Sequence, residues 1–429
     1  MQVLLLTIGS AGDVHPFVGI GLALRQRGHR VKVLTNPHFQ PLIERAGLEF
    51  VAVGTADDYD QVRTNPDLWH PRKGFHTVFN IIINGFRPAF DAVMNNYVPG
   101  QTVIAASSLG LAARCAQDKY NLPMATVHLQ PAIFRSAIHP PKLPGMPIAN
   151  WMPAGMKRFM FTVADRMVIN PLVAPPLNRF RGELGLAPVR DPLKDWWHSP
   201  QRVIGLFPQW YAPPQADWPP QTRLTGFPRY DEGGISDMPA ELAEFLTAGD
   251  PPIVFTPGSA MHHGEDFFRE SVAACVQLNR RGVLMSRHAD HIPSNLPANV
   301  RHFAYAPFSQ LLPKAAVCVH HGGIGTAAQA MAAGVKQIVM PLAHDQFDNA
   351  DRMQRLGIAR SIPAKQYRAA RVAKIVQELL ADEAAAARCA EIARKFIGIE
   401  PLAQTCDLIE ELPTARAAQG VGTSAALPA

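Results

Sequence analysis

Much is missing from this chain, and each absence removes a class of function. No uninterrupted apolar run reaches the roughly 18–20 residues that a membrane-spanning helix needs, so no span is expected. The amino terminus, MQVLLLTIG, lacks a basic leader region and a small-residue cleavage site. It reads as a first strand and not as a signal peptide. Only five cysteines occur among 429 residues: Cys115, Cys275, Cys318, Cys389 and Cys406. An odd, scattered set suits structural thiols in a reducing cytoplasm better than disulfides. No Cys/His spacing matches a zinc site. The net charge of +6 and pI near 9.1 come without a dense Lys/Arg block, so nucleic acid is not the expected partner. A mildly basic surface still favours anionic lipid or a phosphate-bearing ligand.

What is present is an α/β pattern in two parts. The length exceeds one typical core, which predicts two domains. Val3 to Ile8 reads as a buried strand and Gly9-Ser10-Ala11-Gly12-Asp13 as a small-residue turn. Pro16 suits the first turn of a helix over Phe17 to Arg27, ended by Gly28. Further strands are expected near 31–35, 102–106, 124–128 and 202–207. The Pro-rich stretch 213–228 and the polar segment that follows read as a boundary. The expected division is residues 1–228, a linker 229–250, a second domain 251–413, and a disordered tail 414–429. From Met152 to Val168, Met and aromatic residues are interleaved with Lys157, Arg158 and Arg166. Two readings stay open there: a helix with its apolar face in the core, or a greasy wall or membrane-facing flap.

The second domain holds the most telling stretch, Tyr305 to Arg352. A short apolar strand (315–319) ends in His320-His321-Gly322-Gly323-Ile324-Gly325-Thr326, and an Ala-rich helix follows. A strand, a Gly-rich turn and a helix start make an anion site, because the free N–H groups of the first helical turn point at the ligand. It is neither GxGxxG after the first strand nor a P-loop. A second strand, 337–341, leads into His344-Asp345-Gln346, at the end of the sheet where open α/β folds bind ligands.

HHGGIGT and HDQFDNA resemble the donor-binding signature of the UDP-glycosyltransferase superfamily. IGSAGDVHPF at the start extends the resemblance over nearly the whole chain. Within the superfamily the sequence is most similar to the bacterial rhamnosyltransferases of rhamnolipid synthesis. The resemblance implies a GT-B fold, two Rossmann-like doubly wound domains facing a cleft. It implies no cofactor and no metal, with a nucleotide sugar, dTDP-L-rhamnose or a UDP-sugar, as co-substrate. It also implies that the last helix returns to the first domain. By the motif match, His321, Gly323, Gly325 and Thr326 hold the diphosphate. Asp345 and Gln346 bind the donor sugar, Tyr305 stacks on the base, and Ser259 reaches the diphosphate from its Gly-Ser turn. Ser10 and Gly12 shape the turn beside the donor.

Asp13 falls where many members carry a catalytic histidine. Burial would raise its pKa and suit it to act as base, while a helix N-terminus would lower it. A plain capping role is the alternative, and His15 is the second candidate base. His320 is read as packing the strand end or touching ligand, and Asp345 as sugar ligand or N-cap. Phe79, Ile83, Phe86, His128 and Gln130 are expected by position to line the acceptor site. The expected reaction is inverting transfer to a lipid hydroxyl such as a 3-(3-hydroxyalkanoyloxy)alkanoate. A partner enzyme would supply that lipid, and the protein would be cytoplasmic or peripheral to the inner membrane. The alternatives are a UDP-glucose transferase acting on a sterol or polyphenol, and a non-catalytic sugar-nucleotide-binding partner protein.

Overall fold

The structure, a computed structural model, describes residues 1–70, 73–231, 237–258 and 264–412. The expected tail 414–429 and Ser259 lie outside the described residues. Two wholly parallel sheets organise the chain. The first runs in the order β3-β2-β1-β4-β5-β6-β7, with β1 Gln2–Leu6, β2 Arg30–Thr35, β3 Glu49–Ala52, β4 Thr102–Ser107, β5 Met124–His128, β6 Arg202–Gly205 and β7 Thr222–Leu224. The second runs β10-β9-β8-β11-β12-β13, with β8 Ile253–Thr256, β9 Gly282–Met285, β10 Val300–Phe303, β11 Val317–His320, β12 Lys336–Val339 and β13 Ala359–Ser361.

The central strands QVLLL, TVIAAS and MATVH are buried along their whole length. Near-continuous apolar runs of this kind suit strands covered on both faces by helices. Strand order reverses between β1 and β4, where Leu6 pairs with both Leu34 and Ala106, and again between β8 and β11. Each reversal opens a crevice at the carboxyl ends of the strands, where doubly wound sheets take ligands.

An apolar cluster joins the two halves. It brings Phe134, Phe207, Tyr211 and Trp218 together with Ala327, Met331, Met353 and Cys389. The helix Pro401–Glu410 packs back on the helix Ala11–Gln26 through Cys406 and Ile409. Gly19 lies under this contact, and a Cβ there would stand 3.1 Å from Tyr230 and 3.4 Å from Leu402. Arg27 pairs at the rim with Asp407 at 2.6 Å and Glu410 at 2.9 Å. Exposed pairs of this type contribute about 0–1 kcal/mol each, so the apolar seam carries most of the attachment.

Three expectations need correction. The first helix begins at Ala11, and Pro16 lies inside it. The hydrogen-bond ladder already starts with Val14 donating to the Ser10 carbonyl, so Pro16 costs the helix one bond, to the carbonyl of residue 12. The 229–250 stretch is not only linker: a helix, Ala240–Thr247, buries Leu242 and Leu246 against β8 and β9. The helix Ala154–Ala164 forms as expected, but its core-facing side carries Lys157, Phe161 and Asp165. The core-face reading of its Met and Phe residues is therefore overturned for Met156 and Phe159, which are exposed.

Candidate active site

Two strand–turn–helix units meet at the cleft. In the first, β1 passes through Gly9, at φ +139°, into Ser10, the N-cap of the helix Ala11–Gln26. A Cβ on Gly9 would lie 2.2 Å from the Asp13 carboxyl oxygen, so the turn admits only glycine there. The Asp13 carboxylate accepts the Ser10 N–H at 2.7 Å and the Ser10 hydroxyl at 3.1 Å. Gly12 is exposed beside it, and a Cβ there would meet only the Ser10 hydroxyl, at 3.6 Å. Asp13 is half-buried. Desolvation by the surrounding protein raises its pKa, and the Ser10 hydrogen bonds oppose the rise without cancelling it. Burial thus prevails over the helix end. His15, half-buried one turn position on, faces the Tyr230 ring at 6.0 Å.

In the second unit, β11 ends at His320. This histidine is fully buried: its Nδ1 accepts the Gly322 N–H at 3.1 Å and its Nε2–H donates to Gln337 at 3.0 Å. It therefore holds the turn and leaves ligand contact to its neighbour. The ring of His321 lies between two glycines. A Cβ on Gly258 would come within 2.7 Å of it, and one on Gly323 within 2.4 Å. Burial lowers the His321 pKa to about 3, with help from His320, and its buried Nδ1 has no hydrogen-bond partner among the described residues. It is thus a neutral ring whose Nδ1 is left for a ligand. Gly323 is the N-cap of the helix Ile324–Ala332, and no described side chain makes a capping hydrogen bond there. Gly325 looks onto open space, and Thr326 is half-buried beside it. An uncapped helix N-terminus with an idle imidazole nitrogen is an anion cradle.

The loop after β12 closes the site. His344 takes φ +56°, a conformation that non-glycine residues reach only under local constraint. Asp345 precedes the helix Gln346–Arg355 as its N-cap residue, yet makes no capping bond. Its carboxylate instead accepts from Asn349 at 2.7 Å. Desolvation raises its pKa to about 7, against the Asn349 bond, and the charge of Asp13 adds to the rise. The two acids thus face one electrostatic space. Gln346 is buried, and its carbonyl oxygen accepts the N–H groups of Leu342 at 2.8 Å and Ala343 at 3.1 Å. Only its amide nitrogen is left for a ligand. The Tyr305 hydroxyl donates to the Asp231 carbonyl, and Arg287 lies 5.5 Å over its ring. One face of that ring is already covered.

Sequence reasoning missed two residues here. Buried Asn349 donates to the Gly322 carbonyl at 2.9 Å as well as to Asp345, and accepts from the Tyr211 hydroxyl at 3.1 Å. Buried Asp348 accepts the Lys142 N–H at 2.9 Å and the Arg352 guanidinium at 2.6 Å, tying the loop around Pro140, Pro141 and Pro144 of the first half to the second. Both sit in the quoted HDQFDNA stretch, which was the available signal.

The acceptor-side expectations fare less well. Phe79 and Phe86 are core residues, packed on Phe75 and Phe180. Ile83 and Gln130 are half-buried. His128 has no exposed surface. It belongs to a relay whose polarity is fixed at one end. The Trp197 indole N–H, which only donates, bonds His198 Nε2 at 3.0 Å. Burial holds His198 neutral, its pKa lowered to about 4, so its proton sits on Nδ1 and is donated to His128 Nε2 at 3.0 Å. His128, also kept neutral by burial, then donates from Nδ1 to the Ser108 hydroxyl at 2.8 Å. Ser108, half-buried just past the end of β4, keeps its own proton to donate onward.

Comparison with known proteins agrees with this architecture. Residues 3–133 match the glycosyltransferase family 28 N-terminal domain, and residues 272–406 match the erythromycin biosynthesis protein CIII-like C-terminal domain. The chain is 30% identical to O-mycaminosyltylonolide 6-deoxyallosyltransferase of Streptomyces fradiae, over 96% of this chain and 97% of that one. A sterol 3-beta-glucosyltransferase of Yarrowia lipolytica is 26% identical over 83% of this chain and 25% of its own length. Among solved structures, the glycotransferase of kitacinnamycin superposes with a TM-score of 0.74 at 22% identity, over 96% and 98% of the two chains. A spinosyn rhamnosyltransferase complexed with thymidine diphosphate gives 0.67 at 19% identity, over 95% and 100%. Two parallel Rossmann-like sheets facing a cleft make this a GT-B fold. The chain belongs to the GT-B glycosyltransferase superfamily and transfers a sugar from a nucleotide sugar.

Proposed function

We propose that the protein is an inverting, metal-independent rhamnosyltransferase that uses dTDP-L-rhamnose to glycosylate a lipid hydroxyl such as that of a 3-(3-hydroxyalkanoyloxy)alkanoate. The observation that carries the mechanism is that Asp13, its pKa raised by burial, acts on Asp345, which Asn349 ties to the Gly322 turn. Asp13 accepts the proton of the acceptor hydroxyl as its oxygen attacks the anomeric carbon. The bond to the diphosphate breaks on the opposite face, so the centre inverts in one displacement. The leaving diphosphate is received by the N–H groups of Ile324, Gly325 and Thr326. His321 donates to it, and the anion in turn raises the imidazole's basicity. Asp345 and the Gln346 amide nitrogen orient the sugar. Tyr305 stacks on the base. Ser108 aims its proton at the acceptor, and His15 is held as an acceptor contact. A cytoplasmic enzyme fed by a lipid-supplying partner suits this reading.

The thymidine diphosphate bound by a structural neighbour supports a deoxythymidine donor, and the sterol glucosyltransferase relatives favour the second reading, UDP-glucose with a flat apolar acceptor. A mass-spectrometric transfer assay separates them. Purified protein receives dTDP-rhamnose or UDP-glucose, each with a hydroxyalkanoyloxy-alkanoate and with a sterol, in the presence and absence of chelator. Rhamnosylation of the lipid, unaffected by chelator, is expected. Transfer from UDP-glucose alone overturns the donor assignment, and donor binding without transfer or hydrolysis supports a non-catalytic binding protein.

A further inference from the structure

Among the described residues, twelve large apolar side chains are exposed, and seven of them lie between Ile138 and Val168. Trp151 is 80% exposed, Met167 74% and Phe159 67%. Met156, Phe159, Val163 and Met167 follow one another at steps of three, four and four along the helix Ala154–Ala164 and the single π turn Asp165–Ile169 that extends it. That spacing puts them on one side. The opposite side, Lys157, Phe161 and Asp165, is buried. Its charges are consumed internally: the Lys157 amine donates to the carbonyls of Ile138 at 3.3 Å and Asn150 at 2.9 Å, and Asp165 pairs with Arg135. The same bonds hold Ile138 and the chain leading into Trp151 against the helix. This helix buries Lys157 and Asp165 and turns its apolar stripe outward, the reverse of a helix that serves only its own core.

The surrounding charge says what covers the stripe. Arg158, Arg166 and Arg179 are exposed around it. Between residues 136 and 182 the only acid is Asp165, already paired. A second copy docking by this face would set these arginines against their own counterparts, which repels. An apolar stripe with a tryptophan at its edge and a rim of arginines matches the boundary between anionic headgroups and acyl chains.

We infer that the face formed by Met156, Phe159, Val163 and Met167 docks on an anionic phospholipid bilayer, with Arg158 and Arg166 at the depth of the phosphates. The inference does not depend on which acceptor is glycosylated, and its failure leaves the sugar-transfer reading untouched. The test is flotation of the full chain with vesicles of phosphatidylcholine alone or mixed with phosphatidylglycerol. Binding to the mixed vesicles that weakens with salt is expected. The double variant Phe159→Ser/Met167→Ser should bind about tenfold more weakly or less, with unchanged circular dichroism and melting temperature. Arg158→Glu/Arg166→Glu should lose the preference for phosphatidylglycerol. A blue shift of tryptophan emission on adding mixed vesicles, absent in Trp151→Phe, provides a readout independent of the serine variants' folding. A wild-type protein that stays off the mixed vesicles at low salt overturns the proposal. So does a serine variant that floats as well as wild type, or light scattering that finds a dimer dissolved by those substitutions.

Discussion

The two helices that open onto the cleft start from the same supersecondary unit and end up as opposites. The helix Ala11–Gln26 is closed by its own chain: Ser10 caps it, and Asp13 folds back onto the cap. The helix Ile324–Ala332 begins at Gly323 with no capping hydrogen bond from a described side chain. The closed end stores a carboxyl group in a desolvated corner, and the open end keeps unspent N–H groups for an anion. A cleft lined by two closed ends would have no diphosphate cradle. One lined by two open ends would have no base.

Asp13→Asn tests the contrast most directly. Turnover should fall about 10²- to 10⁴-fold, the usual worth of a general base, while donor affinity by calorimetry changes less than about twofold. Equal loss of both would make Asp13 merely a cap. Next come paired glycine changes. Gly323→Ala drives a Cβ into the His321 ring, which would lie 2.4 Å away, and should weaken donor binding about tenfold or more. Gly12→Ala meets only the Ser10 hydroxyl at 3.6 Å. Donor binding should barely change, and the helix should gain roughly 0.5–1 kcal/mol in denaturant titration. If both glycines weaken donor binding alike, the distinction between the two ends fails.

Ser108→Ala removes the end of the relay and should raise the acceptor KM about three- to tenfold with the donor KM unchanged; a changed donor KM would put Ser108 elsewhere. Asp345→Asn acts through charge. Asp13 must be ionised to work, so activity falls as pH drops through its raised pKa, above the ordinary carboxylate range. Asp13 ionises first and its charge then raises Asp345, which is still protonated while Asp13 titrates, so the acid limb of the pH profile should stay in place in this variant. A raised folded-state pKa means the native state holds the proton longer than the unfolded chain. Between the ordinary value of 3.8 and about 7, Asp345 therefore costs stability as pH rises. The melting temperature of the asparagine variant should be flatter across that window. The smallest effect is expected from Ser10→Ala. It removes a bond that lowers the Asp13 pKa, so the acid limb should shift upward, with a loss of about 1 kcal/mol in stability from the weakened cap.

The sequence was most legible where chemistry and chain order coincide. The buried runs that become β4, β5 and β8 announce themselves by composition, and the anion cradle lies within seven consecutive residues, His320 to Thr326. Legibility failed where partners are distant. Lys142 and Asp348 are 206 residues apart, and nothing local marks their bond. His128 resembled an acceptor contact because it ends a strand. It is buried because His198, 70 residues on, claims its Nε2. Asp13 was ambiguous for a different reason: cap and base use the same carboxylate, and only the packing around it decides the sign of its pKa shift. The helix from Ala154 stayed between two readings because an amphipathic pattern gives two faces and does not say which one the fold will keep.

The seam between the halves constrains how this protein can be re-engineered. Exchanging donor preference by grafting a foreign second half at residue 250 would part Phe134, Phe207 and Trp218 from Met331, Met353 and Cys389. It would also take away the helix Pro401–Glu410, which is last in sequence but lies on the first half. A working chimaera must leave 401–412 with its original host and carry matched residues on both sides of the seam. The unit of inheritance for donor choice is therefore discontinuous along the gene.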